Sequence, residues 1–359
     1  MTLNASGPIS LAGTTTGQSI EIELGGTGTT QISLNDANVR TLAGVASGAI
    51  TMPTNFYGKS ATSYTTGLFY AGATGTAAST YSNYVTRINA CGALIGTEST
   101  LAGTGNGRIS VGGARMGNNA GFYAGVQYLT NQKQSIRINK CGSLVGVVSN
   151  IGSYCNSTAF NGGANACTQA TYVQQTTTGT TAMTRLNNCG ALISQNCGVD
   201  PLYTNQAGAS AGSLAVFYGG TCCVCCVPPL PRTRRVNKCG ALVGSITNVG
   251  TGTGGSAGAQ IGGNAVYYAG SINCDFFTPT NCVLRINVCG ALVGSVTTVS
   301  TARLGHSGAR VCSVGVYYGG AKTSTTRTNE VVRINACGAL VGTVGTLGTA
   351  RTGIAGAGI

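Results

Sequence analysis

One ten-residue phrase recurs six times along the chain, and its spacing constrains the fold more tightly than any local propensity does. It reads RINACGALIG at Arg87–Gly96, RINKCGSLVG at Arg137–Gly146, RLNNCGALIS at Arg185–Ser194, RVNKCGALVG at Arg235–Gly244, RINVCGALVG at Arg285–Gly294 and RINACGALVG at Arg333–Gly342. From cysteine to cysteine (Cys91, Cys141, Cys189, Cys239, Cys289, Cys337) the steps are 50, 48, 50, 50 and 48 residues. A second phrase precedes each cysteine: LFYAG at Leu68–Gly72, GFYAG at Gly121–Gly125, VFYGG at Val216–Gly220, VYYAG at Val266–Gly270 and VYYGG at Val316–Gly320, with a degenerate copy near Tyr172. Small residues come earlier still, as in GTGGSAGAQI (Gly252–Ile261) and TARLGHSGAR (Thr301–Arg310). Each unit offers four short strand-like runs separated by Gly and Asn: A (small residues), B (the aromatic phrase), C (ending in Arg-Ile-Asn) and D (Ala-Leu-Val-Gly).

A four-stranded antiparallel unit of this length, with no β-α alternation, is the pattern of a β-propeller blade. The C–D connection, Asn-x-Cys-Gly, reads as a tight turn whose Gly takes φ > 0. Residues 61–72 begin directly at a B strand, whereas Gly348–Ile359 form an A strand with no B after it. Pairing the two would close both open edges. The expectation is an all-β, six-bladed propeller over residues 61–359, closed by its C-terminal strand and preceded by a small domain at 1–60.

Composition narrows the functional classes. Gly accounts for 58 of 359 residues, which disfavours long helices because each Gly in a helix interior costs about 1 kcal/mol relative to Ala. No run of about 18 apolar residues is present to span a bilayer, and the start lacks the basic and apolar regions of a signal peptide; neither membrane insertion nor ordinary secretion is expected. Only seven acids exist (Glu21, Glu23, Asp36, Glu98, Asp200, Asp275, Glu330), widely separated, with one histidine, His306. General acid–base chemistry recruits such groups within reach of each other, so the reading is non-enzymatic, with no cofactor. Of 20 basic residues only Arg40 and Lys59 precede position 61. The positive charge is dispersed, without a nucleic-acid motif, and no Gly-rich stretch runs into Gly-Lys-Ser/Thr.

Taken together, the apolar-aromatic strand ending in Gly-Gly (Gly219-Gly220, Gly319-Gly320), an Arg near strand A and the period near 50 resemble the kelch repeat, whose members are β-propellers used mainly for binding. The Trp common in kelch strand D is absent, so blade packing must differ there. The first 60 residues, with SGPISLAGTTTGQSIEIELG (Ser6–Gly25) and QISLNDANVRTLAGVASGAITMPTNFYGKS (Gln31–Ser60), resemble an N-terminal module of tail fibres and other virion proteins of tailed bacteriophages. That resemblance implies a virion protein made in the host cytoplasm, with residues 1–60 attaching to other tail or baseplate proteins and forming a homo-oligomer, a trimer in many phage fibres. In this segment Ser19–Leu24 alternates like a strand, and a short helix is expected at 34–43, capped by Ser33 with Asp36 and turning Leu34, Val39 and Leu42 to one side.

Sixteen cysteines need placing. The six in the repeat are expected as small buried thiols at a turn. Of the rest, Cys274 and Cys282 share one B–C connection, Cys155 and Cys167 share a D–A region, and Cys222, Cys223, Cys225 and Cys226 form CCVCC before three prolines. Loop disulfides are the favoured reading, formed by oxidation after release by lysis. A zinc site at CCVCC is disfavoured, because adjacent doublets are too cramped to surround one ion. The repeated arginines (Arg87, Arg137, Arg185, Arg235, Arg285, Arg333) recur in every blade and outnumber the available carboxylates, so they are expected to donate to backbone carbonyls between blades or to reach solvent.

In a meander the A–B and C–D turns share one face of the ring, and the B–C and D–A connections share the other. The C–D turn is nearly invariant, whereas the B–C loops differ in length and chemistry, so binding is assigned to them: TYSNY (Thr80–Tyr84), VQYLTNQK (Val126–Lys133), CCVCCVPPLPRTR (Cys222–Arg234), NCDFFTPTNC (Asn273–Cys282) and AKTSTTRT (Ala321–Thr328). Their candidate contacts are the aromatic Tyr128, Phe276 and Phe277 and the basic Lys133, Arg232, Arg234, Lys322 and Arg327, all expected to be exposed to an anionic host glycan. The reading is a tail fibre that binds a host receptor. The alternatives are a capsid or tail decoration protein, or a depolymerase, which needs two carboxylates about 5–10 Å apart.

Overall fold

A computed structural model of the chain describes its residues except 1–2, 16, 25–28, 30, 46, 60–64, 76–79, 102–106, 128–129, 132, 152–161, 176–179, 202, 205, 223–227 and 274–277, with the side chains of 37–38, 41, 126–127, 130–131, 174–175, 180–181, 197–201, 203–204, 221–222 and 300 also undescribed. Two compact units result, Met1–Ser63 and Tyr64–Ile359. The second is a six-bladed β-propeller of four-stranded antiparallel blades.

Blades 2 to 6 each run A to D along the chain. Their A strands, Gly112–Met116, Gly162–Ala166, Ala207–Ala211, Ala257–Ile261 and Ser307–Val311, stand side by side around the axis. Blade 1 takes its B, C and D strands from Gly67–Tyr70, Tyr84–Ile88 and Ser99–Thr100, and its A strand from Ala355–Gly358 at the other end of the chain. That strand pairs antiparallel from Gly67 with Gly358 to Tyr70 with Ala355, the closure expected from the two half-blades.

Strand D departs from expectation. Ala-Leu-Val-Gly opens a D strand only in blades 2 (Leu144–Val148) and 3 (Leu192–Pro201). In the other four blades the Leu of this phrase makes a single bridge back to strand C (Ile88 with Leu94, Val236 with Leu242, Ile286 with Leu292, Ile334 with Leu340), and the D strand begins beyond it. The second Gly of the phrase lies over the Arg of its own blade: a Cβ on Gly96, Gly244 or Gly294 would come within 2.7 Å of Arg87, Arg235 or Arg285. The phrase is therefore a seat for a guanidinium more than a strand.

Aromatic pairs from strand B pack across the blade boundaries. Tyr70 meets Phe122, Tyr123 meets Tyr172, Tyr218 meets Tyr267, Tyr268 meets Tyr317 and Phe69 meets Tyr318, with ring centroids 5.2–5.5 Å apart. Such pairs contribute about 0.5–1.5 kcal/mol each beyond area burial, and these span five of the six blade boundaries. At the sixth, where the aromatic phrase is degenerate, Val173 and Met183 pack with Phe217. The hydroxyls of Tyr172, Tyr267 and Tyr317 donate to Gly121, Val216 and Val266 of the preceding blade at 3.1, 2.8 and 2.9 Å.

The Met1–Ser63 unit has a core of Leu3, Ile20, Val39, Leu42, Ala43 and Phe56. Ser19–Leu24, expected as a strand, holds a one-turn helix at Ile20–Glu23: Ser19 Oγ accepts from Ile22 N at 3.2 Å, and Ser10 and Leu11 carbonyls accept from Ile20 and Glu21. This cap and the tertiary contacts override the alternation, leaving Glu21 and Glu23 buried. The second helix spans Ala37–Ala43, shorter than expected, because Asp36 Oδ2 takes the N–H of Ser33 in a turn ahead of it. Val39 and Leu42 are buried as expected, while Leu34 is half-buried against this core.

Candidate functional site

The Asn-x-Cys-Gly turn is closed by the same side-chain hydrogen bond in all six blades. The Asn Oδ1 accepts from the N–H four residues on (Ala93, Ser143, Ala191, Ala241, Ala291, Ala339) at 2.9–3.0 Å. In four blades it also accepts from the cysteine N–H. The following Gly has φ between 78° and 85°, where a side chain is strained. The Arg of the preceding blade lies over that Gly: Arg333 over Gly92, Arg87 over Gly142, Arg137 over Gly190, Arg185 over Gly240, Arg235 over Gly290 and Arg285 over Gly338. As expected for these arginines, Arg185 donates to Lys238 O, and Arg235, Arg285 and Arg333 donate to Val288, Ala336 and Ala90 O at 3.3–3.4 Å, each in the next blade.

The six repeat cysteines overturn the buried-thiol expectation: Cys91, Cys141, Cys189, Cys239, Cys289 and Cys337 are all exposed and free. Cys167 and Cys312 are likewise exposed, in two-residue A–B turns with φ of 55° and 52°, where the turns of blades 2, 4 and 5 carry Gly117, Gly212 and Gly262. Among the described residues no disulfide forms. Cys282, expected to bond Cys274, is a free thiol that accepts from Thr280 Oγ1 at 3.0 Å, and Cys167 is free at its turn. Cys155, Cys223, Cys225, Cys226 and Cys274 lie outside the described residues; the backbone of Cys222 pairs with Tyr203, its side chain being undescribed.

On the axis the second residue of every A strand is Gly: Gly113, Gly163, Gly208, Gly258, Gly308 and Gly356. A Cβ on any of them would fall within 2.7 Å of the preceding blade's Gly carbonyl oxygen, so the backbones touch and close the channel to a waist. On the A–B side of this waist a small cavity of about 50 Å³ reaches Arg115, Asn165, Ser210, Gln260 and Arg310. On the B–C side a second, also of about 50 Å³, reaches Gln206, Ser256, Ser307 and His306. His306 is buried against Tyr268 and Tyr317, and burial together with the Arg303 charge holds its pKa well below the ordinary histidine value, outweighing a backbone hydrogen bond at Tyr268 that raises it.

The B–C face holds the remaining candidates. Tyr128, Phe276 and Phe277 lie outside the described residues. Lys133 and Arg232 are half-buried. Arg234, expected at the surface, is buried in strand C of blade 4 and donates to Gln206 Oε1 at 3.4 Å. It alternates inward because strand C faces the neighbouring blade at that register, a position that proline-rich sequence does not reveal. Lys322 bonds Glu330 Oε1 at 2.5 Å. Arg327 lies in a cavity of about 180 Å³ with Tyr81, Thr352, Ala73 and Ile109, between the B–C loops of blades 6 and 1. Its Nη1 donates to Ser324 O at 2.9 Å, its buried Nε has no partner among the described residues, and partial burial lowers its pKa from the ordinary value.

Three further arginines, four residues ahead of strand A, were visible in the sequence only as part of the repeat pattern and not as site candidates: Arg108, Arg303 and Arg351 are fully buried. Arg351 donates to Ala71 O (2.8 Å), Tyr84 O (3.1 Å) and Glu98 Oε1 (3.0 Å). Arg303 donates to Gly319 O, Glu330 O and Glu330 Oε2, and Arg108 to Gln134. Each pins the D–A connection to the B–C end of the blade it enters. Their common offset from strand A was the available signal. Glu98 and Glu330 thus serve as counter-ions to buried arginines. No family model and no curated protein matches the chain.

Proposed function

We propose that the chain is a phage virion structural protein, a tail fibre whose propeller binds an anionic host-surface glycan on its B–C face. Residues 1–60 are its attachment module to other tail or baseplate proteins and its contact in a homo-oligomer. The resemblance of residues 6–60 to a virion module supports the setting. The observation that carries the binding role is the pocket between the B–C loops of blades 6 and 1, which Arg327 and Tyr81 line together. A guanidinium in a pocket recognises a carboxylate or sulfate, and an aromatic ring beside it takes the apolar side of a sugar.

The test measures binding of the purified chain to an immobilised acidic polysaccharide, polygalacturonate, against neutral dextran. Arg327→Ala removes a hydrogen bond to a charged group, about 1.5–3 kcal/mol, and is expected to weaken binding at least tenfold with the melting temperature unchanged. Equal binding by wild type and variant, or equal binding to dextran, refutes the assignment.

A further inference from the structure

The fold accounts for every residue of the Asn-x-Cys-Gly turn but one. Asn ties the turn with its side chain, x offers its carbonyl to the preceding blade's Arg, and Gly supplies the left-handed backbone and the seat for that Arg. The Gly290 and Gly338 carbonyls accept from Thr247 and Thr297 of the preceding blade. The cysteine contributes only its backbone N–H, which any residue supplies. Its thiol is exposed in six blades out of six, and none of the six bonds a neighbour among the described residues.

We propose that this face is a thiol-exchange surface through which two copies of the chain are joined by disulfides between their ring cysteines. A disulfide needs a second thiol. Within one copy the ring thiols stand one per blade, at boundaries fixed by the arginine-to-carbonyl bonds, and remain unpaired. A second copy, placed face to face about a two-fold axis, brings the same ring, and its quasi-sixfold repeat allows several thiols to meet at once. The surroundings suit an apolar contact: Leu192, Ile193, Leu242, Val288, Leu340 and Val145, all in or beside the same phrase, are exposed large hydrophobic residues.

The oxidant is a low-molecular-weight disulfide. A ring thiolate attacks one of its sulfurs, forming a mixed disulfide and releasing one small thiolate. The thiolate of the second copy then attacks the protein sulfur, forming the interchain bond and releasing the other small thiolate. The protein loses two electrons and two thiol protons, and the small disulfide becomes two thiols.

The test takes the full chain, fully reduced, into glutathione disulfide, and follows non-reducing electrophoresis and peptide mass spectrometry. The expected product is a covalent dimer whose cross-linked peptides both contain the repeat turn, reversed by dithiothreitol. The variant with all six ring cysteines changed to Ser is expected to keep its circular dichroism and stay monomeric. Should that variant not fold, native protein alkylated with maleimide before oxidation gives the same information, with an expected fall in dimer of at least tenfold. Monomer carrying glutathione on the ring, monomer with free ring thiols, or dimer linked through cysteines outside the ring each overturns the proposal.

Discussion

Gly208→Ala probes the waist of the propeller. A Cβ at Gly208 would stand 2.5 Å from the Gly163 carbonyl oxygen, 2.7 Å from its carbon and 2.9 Å from its nitrogen, where carbon and its neighbours ordinarily settle at about 3.5 Å or more. The obstructing atoms are backbone in a strand pinned on both sides, so no rotamer change relieves the clash. The Gly208 backbone is not left-handed, so without that contact Ala would add about 0.4–1 kcal/mol of stability. Overpacking of this kind costs about 1–3 kcal/mol, and the net expectation is a loss of about 1–2 kcal/mol. Gly263→Ala is the control, since a Cβ there meets nothing within 4 Å and its backbone is not left-handed; it is expected to raise stability by about 0.4–1 kcal/mol. Urea unfolding followed by circular dichroism reads both as shifts in midpoint at constant slope. Adding Gly258→Ala, whose Cβ meets the Gly208 carbonyl, should produce a non-additive effect because the two share a backbone contact. If Gly208→Ala is as stable as Gly263→Ala, the blades are not in backbone contact at the axis.

Two further outcomes follow from the buried charges. Glu98→Ala leaves the Arg351 guanidinium, itself fully buried, without a counter-charge; the expected loss is about 3 kcal/mol or more in urea unfolding, and a loss below about 1 kcal/mol would contradict the pairing. Because the His306 pKa is depressed by burial and Arg303, the unfolded chain binds its proton first as pH falls. Stability is then present above the ordinary histidine value of about 6.5 and declines below it. His306→Phe should flatten the urea midpoint between pH 8 and pH 5.5, whereas parallel wild-type and variant curves would show that His306 does not titrate on unfolding.

Much of the architecture was legible because it repeats. Cysteine spacing set the blade count, and the B-first start with an A-last end specified closure at Gly67–Tyr70 and Ala355–Gly358, since edge pairing is a requirement that sequence order alone exposes. The Asn-x-Cys-Gly turn was legible too, as turn chemistry is local. What lay between blades was not. The sequence could not show that Cys91 and its equivalents face outward, because the Arg and Gly that occupy the inner side of the turn belong to different blades. It placed Arg234 on the surface by its loop-like neighbours, whereas burial depends on which side of strand C meets the next blade. Ser19–Leu24 alternates like a strand and folds as a helix because Ser10 and Leu11 supply its hydrogen bonds from outside the segment. The Arg327 pocket and the glycine waist arise where chain segments far apart in sequence meet, and only the tertiary structure decides those distances.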